Sequence, residues 1–469
     1  MCIPMKYMTY MGTKIKMSIL SAFMIGILVC GCAAAEASPA NAEQSLQVVK
    51  GSSASPAVMH RTEEISLEGV EKSGLSDEDN QIEEAPAEKE RPKVKGIFVT
   101  GAMAGTENMN NLIDLVERTE LNAIVIDVKN DEGRVTYDMP VSIVQELGAC
   151  REYISDMEAL VNECKEKDIY LIARVVTFKD PFLAEKKPEW CVHNADGSLF
   201  KDKDGLAWLN PYNQKVWDYL VEIAESALAI GFDEVQFDYV RFSTDSGMKN
   251  ADFGMDSQEK DRQQIITEFV QYASERIHAV GGAVSADVYG VVIDSATDQE
   301  IVGQDYVELS KYLDYISPMV YPSHYGPYNY NIPIPDAEPY RLVLAAMQSS
   351  RRVLAGIPAS GESVSENTIS GNTVSEMERV QGDSILQEKE EYSDEELASL
   401  PPMEGIKVQV RPWLQDFTAT WVKGHIPYGG EEVRAQIQAV YDAGYEEWIL
   451  WNAANRYTEE GLLTAGEIE

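Results

Sequence analysis

From Lys95 onward, short runs rich in β-branched residues alternate with longer segments that carry apolar residues on one helical face. Short apolar runs bounded by turn residues are typical of buried strands, and the longer segments are typical of amphipathic helices. Eight strand-like runs follow one another: KGIFVTG (95–101), AIVIDVKN (123–130), YLIARVVTF (170–178), EVQFDYVRF (234–242), AVSADVYG (283–290), YISPMVYP (315–322), IKVQVRPWLQDF (406–417) and EWILWNA (447–453). A helix-like segment separates each run from the next.

This alternation indicates parallel βαβ units, and eight of them predict an α/β fold, a (β/α)8 TIM barrel over residues 95–465. An open doubly wound sheet is the alternative fold. It would place a glycine-rich phosphate loop after the first strand. The segment GAMAG (101–105) is too short and poorly spaced for such a loop.

Strand side chains alternate between two faces, so in a barrel one set meets the helices and the other meets the barrel axis. In the fourth strand, the more apolar set is expected to face the helices: Val235, Phe237 and Tyr239. The same alternation predicts the inward residues of the other strands. The inward set is Asp127, Lys129, Gln236, Asp238, Val240, Ser285, Asp287, Tyr289, Ser317, Met319, Tyr321, Gln409, Arg411, Trp413 and Trp451.

The inward set brings carboxylates, cations and aromatic rings toward the C-terminal rim, where such barrels place their chemistry. Aromatic rings stack on the apolar faces of sugars, and paired carboxylates cleave glycosidic bonds. One carboxyl protonates the leaving oxygen, while the other acts as a nucleophile or as a base that activates water. We expect Asp238 to be the nucleophile or base and Asp287 the general acid.

Supporting roles fall to the remaining inward residues. Those expected to bind or support the sugar are Asp127, Tyr289, Tyr321, Arg411, Trp413 and Trp451. Structural alternatives stay open: Asp238 could pair with Arg241, and Asp127 could pair with Lys129 or a third-strand arginine. Weaker rim candidates are Asn452, Asp416 and His324, and Asp233 and Glu234 are interpreted as a turn between helix and strand.

The formal net charge is −39, which makes a nucleic-acid partner unexpected because phosphate backbones require a basic face. Two acidic stretches poor in aromatic residues predict disorder. They are a linker over residues 33–94 and an insert over residues 358–404, before the seventh strand. The rest is expected to be a monomeric domain.

Residues 1–32 have the pattern of an export signal. Lys14 and Lys16 precede the apolar run SILSAFMIGILVC, which is short for a membrane span but suits a signal-peptide core. The following VCGC (29–32) resembles the lipobox of bacterial lipoproteins, which would make Cys32 the lipidated residue. An ordinary signal peptide and an uncleaved anchor are the alternatives. We expect an exported protein, lipid-anchored on the outer face of the cell membrane or secreted.

Cysteine and histidine spacing gives no metal motif. Past the N-terminal segment only Cys150, Cys164 and Cys191 remain, an odd number without a CxxC pair. One disulfide is possible, and free buried thiols are the alternative. We therefore expect no metal and no cofactor.

Eight motifs in order resemble one known family: KGIFVTG, AIVIDVKNDEGRV, YLIARVVTFKDP, WLNPYN, GFDEVQFDYVRFS, VSADVYG, YISPMVYPSHY and VRPWLQDF. They are similar to the "putative glycosyl hydrolase domain" of secreted bacterial proteins, long a domain of unknown function and grouped with the glycosidase-type TIM barrels. The resemblance implies acidic residues at the ends of strands four and five, here Asp238 and Asp287. Chitinase-like barrels are more distantly similar, but they expect a glutamate where Val240 stands.

The sequence therefore predicts a glycoside hydrolase that cleaves a cell-wall or extracellular polysaccharide, with unspecified linkage. The alternative is a non-catalytic glycan-binding or envelope-organising lipoprotein. A metal-dependent deacetylase is a third hypothesis, which would need a cluster of His and Asp residues at the rim.

Overall fold

Eight parallel strands form a closed ring in the computed structural model, which describes residues 91–357, 392–464 and 466–467. The strands are β1 (Lys95–Val99), β2 (Ala123–Lys129), β3 (Tyr170–Val176), β4 (Glu234–Asp238), β5 (Ala283–Tyr289), β6 (Tyr315–Met319), β7 in two segments (Gln409–Val410 and Trp413–Gln415) and β8 (Trp448–Trp451). Each strand pairs with its neighbour in the chain, and β8 pairs with β1 through Lys95 and Trp448. This closure confirms the predicted (β/α)8 TIM barrel.

Helices connect successive strands. They are α1 (Gly101–Ala104), α2 (Asn108–Arg118), α3 (Ser142–Leu147), α4 (Met157–Glu166), α5 (Pro181–Lys186), α6 (Gln214–Ala229), α7 (Arg262–Ala279), α8 (Ala296–Val302), α9 (Tyr306–Leu309), α10 (Pro339–Leu354), α11 (Asp394–Ala398) and α12 (Gly430–Asp442). In α6 the residues spaced for one face, Leu220, Ile223, Ala224 and Ala227, are all fully buried. In α7 a capping box of Asp261 and Gln264 satisfies backbone N–H groups at the first turn.

Two apolar clusters follow from the alternation of side chains along the strands. The outer cluster lies between strands and helices and contains Ile124, Ile126 and Val128 of β2. The inner cluster fills the barrel and contains Val125 of the same strand. The other buried members of the inner cluster are Val94, Phe98, Ala123, Tyr170, Ile172, Tyr321, Trp413 and Ile449. In β2 the alternation of side chains therefore places the residues on the two faces that the sequence predicts.

The fourth strand ends earlier than predicted. Tyr239 has φ +53°, a left-handed conformation that breaks the strand geometry directly after Asp238. Because the alternation stops there, Val240 turns back into the outer cluster instead of pointing into the barrel. The expectation of an inward Val240 is therefore wrong, and the glutamate position of chitinase-like barrels lies in the outer core.

Several predicted segments lie partly or wholly outside the residues that the structure describes. Residues 1–90 and 358–391 lie outside them, and so do the export signal, Cys32 and most of both acidic stretches. Within the predicted insert, Asp394–Ala398 forms helix α11, so the expectation of disorder is wrong at that point. No helix of the described ranges is long and apolar enough to cross a membrane. Cys150, Cys164 and Cys191 are free thiols, which resolves the alternatives left open for them.

Candidate active site

One arginine joins the carboxylates at the C-terminal end of the barrel. Arg174 of β3 is almost fully buried, and its Nη1 lies 2.5 Å from Oδ1 of Asp127. Its Nε and Nη2 donate to Oδ2 of Asp238 at 3.1 and 2.6 Å. A third carboxylate, that of Asp131, lies 3.6 Å from Nη2. Arg174 therefore compensates negative charge from β2, from β4 and from the loop that follows β2.

The Asp238 carboxylate is fixed through both of its oxygens. Arg174 occupies Oδ2, and the backbone N–H of Tyr239 donates to Oδ1 at 2.6 Å. The left-handed Tyr239 residue begins the turn that carries this N–H. The bend at the end of β4 thus both terminates the strand and orients the acid.

Asp287 lies beside Asp238 because of the register of β4 and β5. Gln236 pairs with Ser285 and Phe237 pairs with Ala286, so the next step in register brings Asp238 level with Asp287. Adjacent strands are about 4.8 Å apart, and residues of equal register point to the same face. Both acids therefore project into the barrel from neighbouring strands.

Burial sets the protonation of Asp287. The side chain is 2% exposed, and burial together with the negative charge of Asp238 raises its pKa well above the usual carboxyl range. Trp413 opposes this shift, because its indole N–H donates to Oδ1 of Asp287 at 2.6 Å. The net effect keeps a proton on Asp287 under conditions where an exposed aspartate has lost it.

The other two carboxylates near Arg174 differ from each other. Burial raises the pKa of Asp127 to about 6, although the ion pair with Arg174 acts in the opposite direction. Asp131 is partly exposed, and there the charges of Arg174 and Lys179 outweigh the effect of burial and lower the pKa. The prediction that Asp127 could pair with a third-strand arginine is confirmed.

Aromatic rings line the same end of the barrel. Phe98 and Trp451 stack with centroids 4.2 Å apart, and Arg174 lies over both rings at 5.3 and 5.8 Å. Trp451 is partly exposed, and Tyr321 is buried beside the acids, whose charges together with burial raise its pKa. Tyr289, which was expected to point into the barrel, instead packs against the outer cluster, with the guanidinium of Arg241 4.4 Å from its ring centroid.

Two residues expected to contact sugar lie elsewhere. Trp413 is 1% exposed, so its ring offers no face to a ligand and its indole instead holds Asp287. Arg411 is fully buried between Glu234 and Glu447, at 2.9 Å from each. Glu234 begins β4 and Glu447 directly precedes β8, so Arg411 lies at the N-terminal end of the barrel, away from the rim. The alternation of side chains predicted that Arg411 points into the barrel, but it did not predict the position of Arg411 along the barrel axis.

Other sequence expectations are corrected by their contacts. Glu234 is an inward ion-pair partner of Arg411, not a turn residue. Lys129 pairs with Asp180 at 2.9 Å and does not reach Asp127, because a bulge shifts the register between residues 127 and 129. Arg241 donates to the carbonyl of Phe242 and pairs with no carboxylate of the described residues.

The weaker rim candidates Asp416 and His324 differ in their surroundings. Both carboxylate oxygens of Asp416 accept hydrogen bonds from Thr458, and its carbonyl accepts one from Asn452, so this acid fixes a loop. His324 is exposed, with its ring 5.2 Å from that of Tyr321. Among the described residues, no group of His, Cys, Asp and Glu side chains could hold a metal ion.

Sequence reasoning missed residues that lie just beyond the strand ends. Asp131 and Lys179 follow β2 and β3, and their side chains lie 3.7 Å apart beside Arg174. Lys179 also lies over the Tyr239 ring at 4.5 Å. Alternation fails outside the strands, so the available signal was only the clustering of Asp and Lys directly after strands two and three.

A closed barrel with paired carboxylates and aromatic rings at its C-terminal rim has the architecture of the glycosidase-type TIM barrels. The family described as "Putative glycosyl hydrolase domain" matches residues 96–363 and 379–457. This match spans most of the chain, and the protein belongs to that family.

The chain is similar to several solved structures. The chain is 39% identical to a hypothetical protein from Ruminiclostridium thermocellum ATCC 27405, over 41% of this chain and 97% of that chain, with a TM-score of 0.38. It is 12% identical to the glycoside hydrolase domain of PgaB (BpsB) from Bordetella bronchiseptica, over 79% of this chain and 98% of that chain, with a TM-score of 0.50. It is 10% identical to the spore cortex-lytic enzyme SleL of Bacillus megaterium QM B1551, over 80% of this chain and 73% of that chain, with a TM-score of 0.41. No curated protein matches the chain.

Proposed function

We propose that this protein is a glycoside hydrolase in which Asp287 is the general acid and Asp238 is the nucleophile. The observation that carries the proposal is the register of β4 and β5, which sets the two acids side by side in different surroundings. Asp287 is buried against Trp413 with a strongly raised pKa. Asp238 is held by a guanidinium and a backbone N–H. Unequal surroundings for two neighbouring carboxyls are what an acid and a nucleophile require.

The contact with Trp413 defines which oxygen of Asp287 acts. An indole N–H can only donate, so Oδ1 of Asp287 is an acceptor in both protonation states. In the neutral acid we assign the proton to Oδ2, the oxygen that does not bind the indole. That oxygen is the one that delivers the proton to the leaving glycosidic oxygen.

We include a double displacement in the proposal, because side chains on neighbouring strands can bring their carboxyls close together. Neighbouring strands are about 4.8 Å apart, and retaining glycosidases hold their carboxyls about 5–5.5 Å apart. In the first step Asp238 attacks the anomeric carbon while Asp287 protonates the departing oxygen, which leaves a glycosyl ester on Asp238. In the second step Asp287 takes a proton from water, the hydroxyl adds to the anomeric carbon, and the ester bond to Asp238 breaks.

The surrounding residues hold this pair and bind the sugar. Arg174 fixes Asp238, and Asp127 anchors Arg174 from the opposite side. Tyr321 and Trp451 line the site. The substrate is a cell-wall or extracellular polysaccharide, which agrees with an exported protein attached through a lipid on Cys32. In this arrangement, residues 33–94 would separate a monomeric barrel from the membrane.

A panel of bacterial cell-wall glycans and exopolysaccharides tests the proposal with the full chain and its Asp238→Asn and Asp287→Asn variants. We expect release of reducing ends from at least one glycan, and a loss of about 10²–10⁴-fold in each variant. Asp138→Asn is the matched control, since Asp138 is an exposed acid in the loop after β2. Binding of a glycan without cleavage would contradict the hydrolase and support the alternative, a glycan-binding envelope protein.

A further inference from the structure

The loop between β7 and α12 presents an aromatic surface that the proposed mechanism does not use. Trp421 in this loop is 68% exposed, while the six other tryptophans, all within the described ranges, are buried or partly buried. The Trp421 ring stacks on Phe417, with centroids 6.0 Å apart and an interplanar angle of 20°. We name these two residues the aromatic shelf. A contiguous aromatic surface at the rim of a barrel is a candidate binding surface.

The shelf is a fixed structure. The Phe417 carbonyl accepts a hydrogen bond from Gln415 Nε2 at 3.0 Å. Ala419, which lies between Phe417 and Trp421 in the sequence, is fully buried. The backbone N–H of Val422 donates to the carbonyl of Ala419 at 2.9 Å, directly after Trp421. The backbone of the loop is therefore fixed, and the exposed indole is held against it by stacking on Phe417, which lowers the entropy lost on binding.

The shelf continues the aromatic lining of the candidate active site. Phe417 meets Tyr321 edge-on, with centroids 6.3 Å apart. Tyr321 belongs to the inner cluster together with Trp413, which bonds Asp287. A row of rings thus leads from Asp287 outward through Tyr321 and Phe417 to Trp421.

The surface around the shelf indicates the kind of ligand. Most of the residues around Trp421 are polar or small and exposed, including Thr420, Lys423, Gly424 and His425. The apolar neighbours are Val422, which is partly buried, and Ile334 beside Gly424. A stable protein interface buries about 800 Å² per partner around a larger apolar centre. A narrow aromatic strip bordered by polar groups instead matches a sugar chain, whose rings have apolar faces and polar edges.

We infer that Phe417 and Trp421 form a sugar-binding subsite beyond the cleavage point, which holds a distal ring of the same polysaccharide chain. The inference rests on the proposed hydrolase and adds to it a preference for long substrates. Trp421 stacks on one face of the distal sugar, and the buried Tyr321 supports Phe417 between the shelf and the acids. Short oligosaccharides that do not reach Trp421 gain nothing from it.

Sedimentation with insoluble bacterial cell-wall glycan and exopolysaccharide, using the Asp287→Asn background, measures the binding. We expect Trp421→Ala to weaken binding about tenfold and Trp421→Phe to restore most of it, because a phenyl ring also stacks. Tyr328→Ala is the matched control, since Tyr328 is 72% exposed but makes no ring contact within the described residues. The glycan should also protect Trp421 fluorescence from iodide quenching.

The subsite would be overturned if Trp421→Ala bound glycan as tightly as the parent does. It would also be overturned if the aromatic shelf bound another protein and no glycan. The subsite and the hydrolase fail in different ways. If glycan binds through Trp421 and is never cleaved, the subsite stands and the hydrolase falls. If Trp421→Ala, in the otherwise native chain, cleaves long and short substrates as the parent does, the hydrolase stands and the subsite falls.

Discussion

Trp413 and Asp287 are joined across the barrel by an indole N–H that donates to Oδ1 at 2.6 Å. The two residues come from β7 and β5, which are separated by β6. A fully buried tryptophan thus contributes a polar contact to the acid instead of a face to the sugar. This contact stabilises the ionised form of Asp287, against the effects of burial and of Asp238.

Trp413→Phe removes that N–H and retains an aromatic ring. The pKa of Asp287 then rises further, so the general acid keeps its proton to higher pH. We expect the alkaline limb of the profile of kcat/KM against pH to move upward, since kcat/KM reports the free enzyme. Trp451→Phe is the control, because Trp451 contributes ring stacking. An alkaline limb that stays in place or moves downward would show that Asp287 is not the acid.

Arg174→Met leaves the acids around it without their cation. Breaking a buried ion pair by removing one partner costs about 3–5 kcal/mol. We expect a loss of that size in the free energy of unfolding measured by denaturant titration. Arg276→Met is the matched control, because Arg276 also binds a carboxylate in a bidentate manner but is 40% exposed, beside Glu225. Its loss should stay below about 1 kcal/mol, and equal losses in both variants would contradict the central role of Arg174.

Asp127 makes stability depend on pH in a defined window. Its pKa is raised from 3.8 to about 6 in the folded state, so its proton stabilises the fold fully below 3.8. That contribution is lost as pH rises through 6. Each pH unit of the window is worth about 1.4 kcal/mol, so Asp127 contributes up to about 3 kcal/mol.

Asp127→Asn should abolish this dependence. We expect the free energy of unfolding of the parent to fall relative to the variant between pH 4 and pH 7, measured in matched denaturant titrations. A difference between parent and variant that is constant over this range, or that grows in the opposite direction, would refute the assignment.

The strands and their faces could be predicted from the sequence because alternation is a local property. It placed Asp127, Asp238 and Asp287 inside the barrel, where the structure has them. It failed at Val240, because the left-handed Tyr239 ends the alternation, and nothing in EVQFDYVRF indicates that bend.

Depth along the barrel axis could not be predicted in the same way. Arg411 and Trp413 have the same parity, yet one pairs with glutamates at the N-terminal end and the other reaches Asp287. Depth depends on the stagger of neighbouring strands, which alternation does not encode. Of the partners of Arg174, only Asp127 was anticipated, as one of two alternatives; Asp131 and Asp238 were not, because they come from other segments.

The leaving-group dependence of hydrolysis tests the central claim most directly. Aryl glycosides of the sugar identified by the glycan panel are compared with a dinitrophenol and a phenol leaving group. We expect Asp287→Ala to keep nearly the kcat/KM of the parent on the dinitrophenyl glycoside but to lose about 10²–10⁴-fold in kcat/KM on the phenyl glycoside, since only phenol needs a proton to leave. Asp238→Ala should lose both activities. Equal loss on both substrates in Asp287→Ala, or retained cleavage in Asp238→Ala, would contradict the assigned roles.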